Sequence, residues 1–369
     1  GKMGVQIIPT NEQMPTIYTG DDMGLFNERI AEKLADTVFS KYQKGIREHT
    51  RARQRNDLQS FSSYLQEAHI ERVAQELEEN PQSWLGIGKA LVEGFQLWLQ
   101  NKGYAMGTIN IRLTTIRTYC RLVAQAGYLS EQELAMILTV SGKGEELRRN
   151  IDEQREKDGI PTRKGYKKEV ATQVITEQVF SLKRAAQPLR KRTSNRVHDK
   201  LLAARDQLLM GLLFEHALRC GEVVSLNIEC FNLQEGTMTF YREKTARNRN
   251  DRETHALQTH TRRAAESYLT LVATLEGRTR GPLFEGYQGQ RITNRAINAR
   301  VAKLGKVQGI EGNLSPHDGR HFWAYDAFRN HTSIDRVVSG GGWKGEAMAL
   351  RYAKRAGIAN EGVKISEEN

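Results

Sequence analysis

Only three cysteines occur in the 369 residues, Cys120, Cys220 and Cys230. Their spacings fit neither a zinc site nor a disulfide framework, so a reducing compartment and no structural metal are expected. Long apolar runs are lacking as well. None approaches the roughly 18 residues of a membrane span, which argues against a transmembrane chain. The first residues show no charged-then-apolar leader, which argues against secretion, and Gly1 and Lys2 ahead of Met3 read as a cloning remnant. There is no internal repeat and no low-complexity tract. Acidic side chains are the minority: 44 Asp and Glu stand against 55 Lys and Arg, a formal charge of +11. Such an excess points to a polyanionic partner, nucleic acid being the commonest; a basic protein without one is the plain alternative. At this length, with 38% hydrophobic residues, two domains are expected rather than one core.

Residues 1–26 carry Pro9, Pro15 and Gly20 and read as a loose arm. Helical spacing begins at Ile30 and predicts helices over Asn27–Lys44, Arg51–His69 and Gly86–Gln100. The clearest follows Thr108, a candidate N-cap. Ile109, Leu113, Ile116, Cys120 and Val123 form its apolar stripe, and Arg112, Arg117 and Arg121 lie off it, facing water or phosphate. Gly127 ends it, and Ser130 with Glu133 predicts a capping box for a short helix through Ile137. Residues 27–140 thus read as an all-helical domain. Residues 141–170 are charged and poor in large apolar groups, the composition of an interdomain linker, with room for a helix in its middle. A second domain, 171–356, starts with a helix capped by Thr176 and a basic loop over Lys183–Lys200. A buried helix, Asp199–Phe214, follows, then strands over Val223–Asn227, Gly236–Arg242 and Glu253–Leu257 in a small antiparallel sheet. Helices are predicted over Arg262–Glu276, Thr293–Gln308 and Arg320–Asn330, and residues 357–369 form a tail. The fold class is mainly α with one small antiparallel sheet.

Several polar residues stand in otherwise structural text. ALRCGEVVSL holds Arg219 and Glu222, and Lys244 sits at the tip of the hairpin. LSPHDGRHFWA puts His317 and Arg320 three apart at a helix N-terminus, and GGGWKGEAMALRYAK puts Trp343 and Tyr352 nine apart. This set suits phosphodiester cleavage. Two guanidiniums can grip the non-bridging oxygens of a pentavalent transition state. A tyrosine hydroxyl becomes a workable nucleophile when its proton is removed or cations surround its phenolate. A lysine can protonate the departing 5′ oxygen, and a histidine can act as base or hydrogen-bond donor. Cations then stand where a metal otherwise would, so no cofactor is expected. Each residue alone has a duller reading: a surface ion pair for Arg219 and Glu222, core packing for Tyr352, a loop anchor for Trp343, a solvated turn for Lys244. Order and spacing distinguish the set.

The order Arg219, Glu222, Lys244, His317, Arg320, Trp343, Tyr352 resembles the signature of the tyrosine recombinase, or phage integrase, family, over about residues 45–356. The helical first domain, with TINIRLTTIRTYCRLVAQAG, is similar to the family's core-binding domain, which clamps the far side of the duplex. Most bacterial integrases carry histidine where Trp343 stands; tryptophan there is similar to the Cre and Flp recombinases, so a Cre-like enzyme is expected. The resemblance implies a 3′-phosphotyrosyl intermediate on Tyr352, Arg219 and Arg320 on the phosphate, and His317 and Trp343 completing the pocket. It further implies Lys244 as the acid, Glu222 as an orienting group, and no metal or ATP. Double-stranded DNA with specific target sites and a homotetramer passing through a Holliday junction are the implied partners. A cytoplasmic, nucleoid-associated location in a bacterial or phage-infected cell is expected. Candidate DNA contacts are Arg112, Arg117 and Arg121, with Lys183, Arg184, Arg190, Lys191 and Arg192. Alternatives are a type IB topoisomerase or telomere resolvase, and a catalytically inactive DNA-binding regulator of the same fold.

Overall fold

A computed structural model describes residues 20–142, 144–160, 171–184, 196–242 and 252–356. The chain separates into two units, Gly1–Lys168 and Glu169–Asn369.

The first unit is helical: α1 Gly20–Ala35, α2 Val38–Gly45, α3 Glu48–Glu67, α4 Ala74–Glu79, α5 Lys89–Asn101, α6 Met106–Gln125, α7 Glu131–Thr139 and α8 Glu145–Lys157. Helix thus begins at Gly20, inside the stretch expected to be a loose arm, and the single helix expected over Asn27–Lys44 is two, broken at Asp36–Thr37. The α6 stripe is buried as its spacing predicts, with Ile109, Leu113, Ile116, Cys120 and Val123 all inside. Tyr119 stacks on Trp84 at 5.7 Å and Trp84 on Phe61 at 5.8 Å, joining α6 to α3. Ala105, not Thr108, occupies the N-cap of α6.

The capping box of α7 is half formed. Ser130 Oγ accepts from the Glu133 amide, but the Glu133 carboxylate accepts from the Lys89 amide at 2.7 Å and so caps α5 instead. Within the charged stretch 141–170, α8 packs Ile151 against the first core. Arg155 of α8 is buried and donates to the carbonyls of Gln100 and Tyr104, so a side chain that reads as solvated anchors the helix.

The second unit holds α9 Thr176–Arg184, α10 Arg196–Phe214, α11 Cys220–Ser225, β1 Phe231–Asn232, β2 Thr237–Phe240, β3 Glu253–Ala256, α12 Thr259–Glu276, α13 Asn294–Val307, α14 Pro316–Arg329, α15 Ile334–Gly341 and α16 Glu346–Ala356. Helix α10 is the spine, with Leu208, Leu209, Leu212 and Leu213 buried. Helix α14 crosses it closely: a Cβ on Gly319 would lie 2.8 Å from the Leu213 carbonyl oxygen, so only glycine lets the next residue, Arg320, reach the end of α10. The strand expected over Val223–Asn227 does not form. Glu222, third residue of α11, folds back to accept the Arg219 amide at 2.7 Å and closes a helical turn, and β1 takes the sheet edge. The sheet runs β1-β2-β3, antiparallel, with Phe240 opposite Glu253. Met238 and Phe240 face inward, and the same two-residue period carries the next inward position to Arg242.

Among the described residues no helix is long and apolar enough to cross a membrane.

Candidate active site

Arg219 is the N-cap of α11 and Arg320 lies one turn into α14. The start of α14 is fixed by Asp318, whose carboxylate accepts from the Ser315 amide and hydroxyl, both at 2.7 Å, and from the Thr172 amide at 2.9 Å. The run Gly340–Gly341–Gly342, the last two residues of α15 and its C-cap, is the hub of the site. Arg219 Nη2 donates to the Gly342 carbonyl at 2.9 Å, and Arg320 Nη2 to the Gly341 carbonyl at 2.7 Å. Arg320 Nη1 donates to the carbonyl of Ala217, a residue held at φ +53°. Glycine is required in the run: Gly342 sits at φ +60°, and a Cβ there would press on the Arg242 side chain.

Glu222 is buried and holds Arg219 twice, through the backbone amide and through Nη1 at 2.8 Å. The Arg320 guanidinium lies 4.8 Å from the Trp343 ring centre. Burial first, then the positive charge of Arg219, pulls the Arg320 pKa down to about 9, still protonated at neutral pH. The side chain of Arg219 is 24% exposed whereas Arg320 is 2% exposed, so Arg219 is the guanidinium that meets solvent. Each bonded terminal nitrogen has a second hydrogen to offer, and a guanidinium carries five donors in all.

Tyr352 of α16 lies between two rings, Trp343 at 5.4 Å and His321 at 4.5 Å, the latter edge-on at 88°. His321 in turn stands edge-on to His317 at 4.5 Å. The two histidines share a face because they are four apart on α14. Tyr352 is only 5% exposed. It walls a groove of about 860 Å³ with Val174, Ile175, Phe180, His321 and Tyr325.

Arg219, Glu222, Arg320, Trp343 and Tyr352 therefore gather at one place, with exposed His317 one ring farther out. Lys244 falls outside the described residues, as do Arg190, Lys191 and Arg192. Of the other candidate DNA contacts, Arg112 is held by Ser60 at 2.8 Å and lies over Tyr104, and Arg117 donates to the Leu138 carbonyl. Lys183 pairs with Glu215 at 2.6 Å. Arg121 and Arg184 are exposed. Sequence reasoning missed three features: His321, next after Arg320; the triglycine carbonyls; and Arg242, which strand alternation alone would have flagged as an inward-facing cation.

Two further histidines meet at the sheet, His255 within β3 and His216 just after α10. His216 and His255 lie 5.6 Å apart, and burial holds their pKa values down to about 4 and about 3. Both are neutral when folded and titrate near 6.5 when unfolded, so the unfolded chain binds the extra protons below that pH. Their contribution is whole above pH 6.5 and is lost as pH falls toward 4, at about 1.4 kcal/mol per pH unit for each. Denaturant unfolding at pH 7 and pH 5 is expected to show this loss, and His216→Gln to remove about half of it, His255 keeping the rest. Equal slopes in both proteins would refute the assignment.

Residues 183–357 match the profile of the phage integrase family. Among curated proteins, the tyrosine recombinase XerC of Pseudomonas aeruginosa is 34% identical over 128 residues, 35% of this chain and 40% of that protein. XerD of the same organism is 23% identical over 86% of this chain and 89% of its own length. The chain thus spans about two-fifths of the first curated relatives it matches. Among solved structures, XerH recombinase bound to difH substrate in a pre-cleavage complex aligns with TM-score 0.55 at 15% identity, covering 93% of this chain and 88% of that one. A lambda integrase dimer bound to a COC′ core site aligns with TM-score 0.54 at 12% identity, covering 90% and 98%. At these identities the likeness is one of fold.

Proposed function

We propose, from the match of residues 183–357 to the phage integrase family, that the chain is a tyrosine recombinase, a site-specific DNA recombinase that cuts and rejoins strands through Tyr352. The observation that carries the reading is the fastening of Arg219 and Arg320 to adjacent glycine carbonyls beside Trp343 and Tyr352. Two guanidiniums held at fixed spacing are a preorganised receptor for a phosphate gaining charge.

In the proposed course the Tyr352 oxygen forms a bond to the scissile phosphorus as the bond from phosphorus to the 5′ oxygen breaks. The phenol proton leaves through the His321 and His317 face or to solvent, and Lys244 protonates the departing oxygen. Arg219 and Arg320 hold the non-bridging oxygens, Trp343 packs against them, and Glu222 orients Arg219. A 5′ hydroxyl of a partner strand then attacks the phosphotyrosine and restores the phosphodiester. The covalent link conserves the bond energy, so the cycle runs without ATP. Double-stranded target sites, a homotetramer and a Holliday junction complete the reading, for integration, excision or resolution of DNA. Phosphate contacts should dominate affinity, which then falls steeply with salt.

The test starts from duplexes selected for binding out of a random-sequence pool and rebuilt with a nick beside each candidate cleavage position. In EDTA, a denaturing gel should show a protein–DNA adduct that maps to the Tyr352 peptide. Binding without adduct on every nicked duplex would leave a DNA-binding regulator; relaxation of supercoiled DNA lacking any target would favour a topoisomerase.

A further inference from the structure

Arg242 is among the largest fully buried side chains of the chain, 1% exposed, and none of the assigned roles uses it. Its donors are turned inward. Nε pairs with Glu253 across the hairpin, and Nη2 reaches the Gly340 carbonyl at 2.8 Å and lies 3.4 Å from His255 Nε2. Nη1 reaches Glu222 Oε2 and the Gly341 carbonyl, both at 3.2 Å. A guanidinium so enclosed does not itself meet a phosphate.

The partners of Nη1 are the informative ones. Glu222 also holds Arg219, through Nη1 and the backbone amide. The Gly341 carbonyl also holds Arg320. Arg242 therefore shares one acceptor with each of the two guanidiniums of the proposed phosphate site. It also ties them to β3 and to the glycine turn, where a Cβ on Gly342 would strike its Cδ at 2.5 Å. His255 beside it, kept neutral by burial and by Arg242 itself, offers the guanidinium a lone pair and no competing charge.

We propose that Arg242 is a positioning residue for strand cleavage, a buried brace that sets the spacing and orientation of Arg219 and Arg320 through Glu222 and the Gly341 carbonyl. This rests on the recombinase reading for the reaction, and on the hydrogen bonds alone for the brace. A lysine keeps the charge but cannot span four acceptors with a rigid fork. A misplacement of the paired guanidiniums on the order of 1 Å lowers the chemical step about 10²-fold.

The experiment compares wild type, Arg242→Lys and Arg219→Ala in single-turnover cleavage of a nicked duplex, with folding checked by circular dichroism. Arg242→Lys is expected to lower the cleavage rate about 10²-fold while half-saturating DNA stays within threefold. A second duplex carries a methylphosphonate at the scissile position, which removes the anionic oxygen the guanidiniums hold. On it, the gap between wild type and Arg242→Lys should shrink to within about fivefold, as it should for Arg219→Ala. A folded Arg242→Lys protein that cleaves the normal duplex like wild type overturns the proposal, and so does a gap that persists undiminished on the methylphosphonate. A readout without chemistry separates the two readings: the side-chain Nε–H resonances of Arg219 and Arg320 should shift in Arg242→Lys while that of Arg121 stays. Unmoved Arg219 and Arg320 resonances sink the brace. Shifted resonances in a chain whose wild type forms no adduct sink the recombinase reading and leave the brace standing.

Discussion

Tyr352→Phe is expected to push the covalent adduct below detection, a loss of at least about 10⁴-fold in cleavage, with DNA binding unchanged within twofold. The size of the effect follows from chemistry: the substitution deletes the oxygen proposed to bond to phosphorus, and water held in its place is a far weaker nucleophile. The selectivity follows from packing. Phenylalanine keeps the ring between His321 and Trp343 and leaves in place the hydrogen bonds that tie Arg219 to Glu222 and Gly342 and Arg320 to Gly341. The measurement is a suicide-duplex gel beside a filter-binding titration on the same preparation. An adduct of wild-type yield in the variant would move the nucleophile elsewhere. A matching loss of binding would mean that the phenol holds DNA rather than attacking it.

What was legible in the sequence was local or strictly ordered. The α6 stripe reads at sight because five apolar residues repeat at helical spacing and all five are buried. The order of Arg219, His317, Arg320, Trp343 and Tyr352 pointed to one chemistry, and the fold brings Arg219, Arg320, Trp343 and Tyr352 together with His317 beside them. What escaped was long-range pairing between side chains and backbone carbonyls. Glu133 turns from its own helix to cap α5, 44 residues earlier. Arg155 looks solvated until the carbonyls of Gln100 and Tyr104 are found beneath it. Arg219 meets Gly342 across 123 positions, and a glycine run reads as a turn whether or not three arginines are tied to it. The strand expected at Val223–Asn227 failed for the converse reason: β-branched residues suggested extension, but one carboxylate, Glu222, closed a helical turn ahead of them.

The glycine run itself carries the second large effect. Gly341 closes α15, and a Cβ there would fall inside the indole of Trp343. No rotamer of the indole escapes cheaply, because Trp343 also packs on Trp323 and Tyr352. Either the ring leaves its seat under Tyr352 or the turn moves, and the turn carries the carbonyl that Arg320 and Arg242 both hold. Gly341→Ala is therefore expected to cost about 1–3 kcal/mol of stability from overpacking and to slow cleavage about 10²-fold or more by displacing the guanidiniums. Gly345→Ala, four residues on, is the matched control: its Cβ would enter open space, and cleavage should stay within twofold. Denaturant midpoints and single-turnover rates on both variants read the two effects separately. If Gly341→Ala were to lose stability yet cleave like wild type, Trp343 would have absorbed the strain alone and the turn would not template the phosphate site. If it loses cleavage far beyond what its fraction unfolded explains, the triglycine carbonyls are part of the machinery that places Arg219 and Arg320.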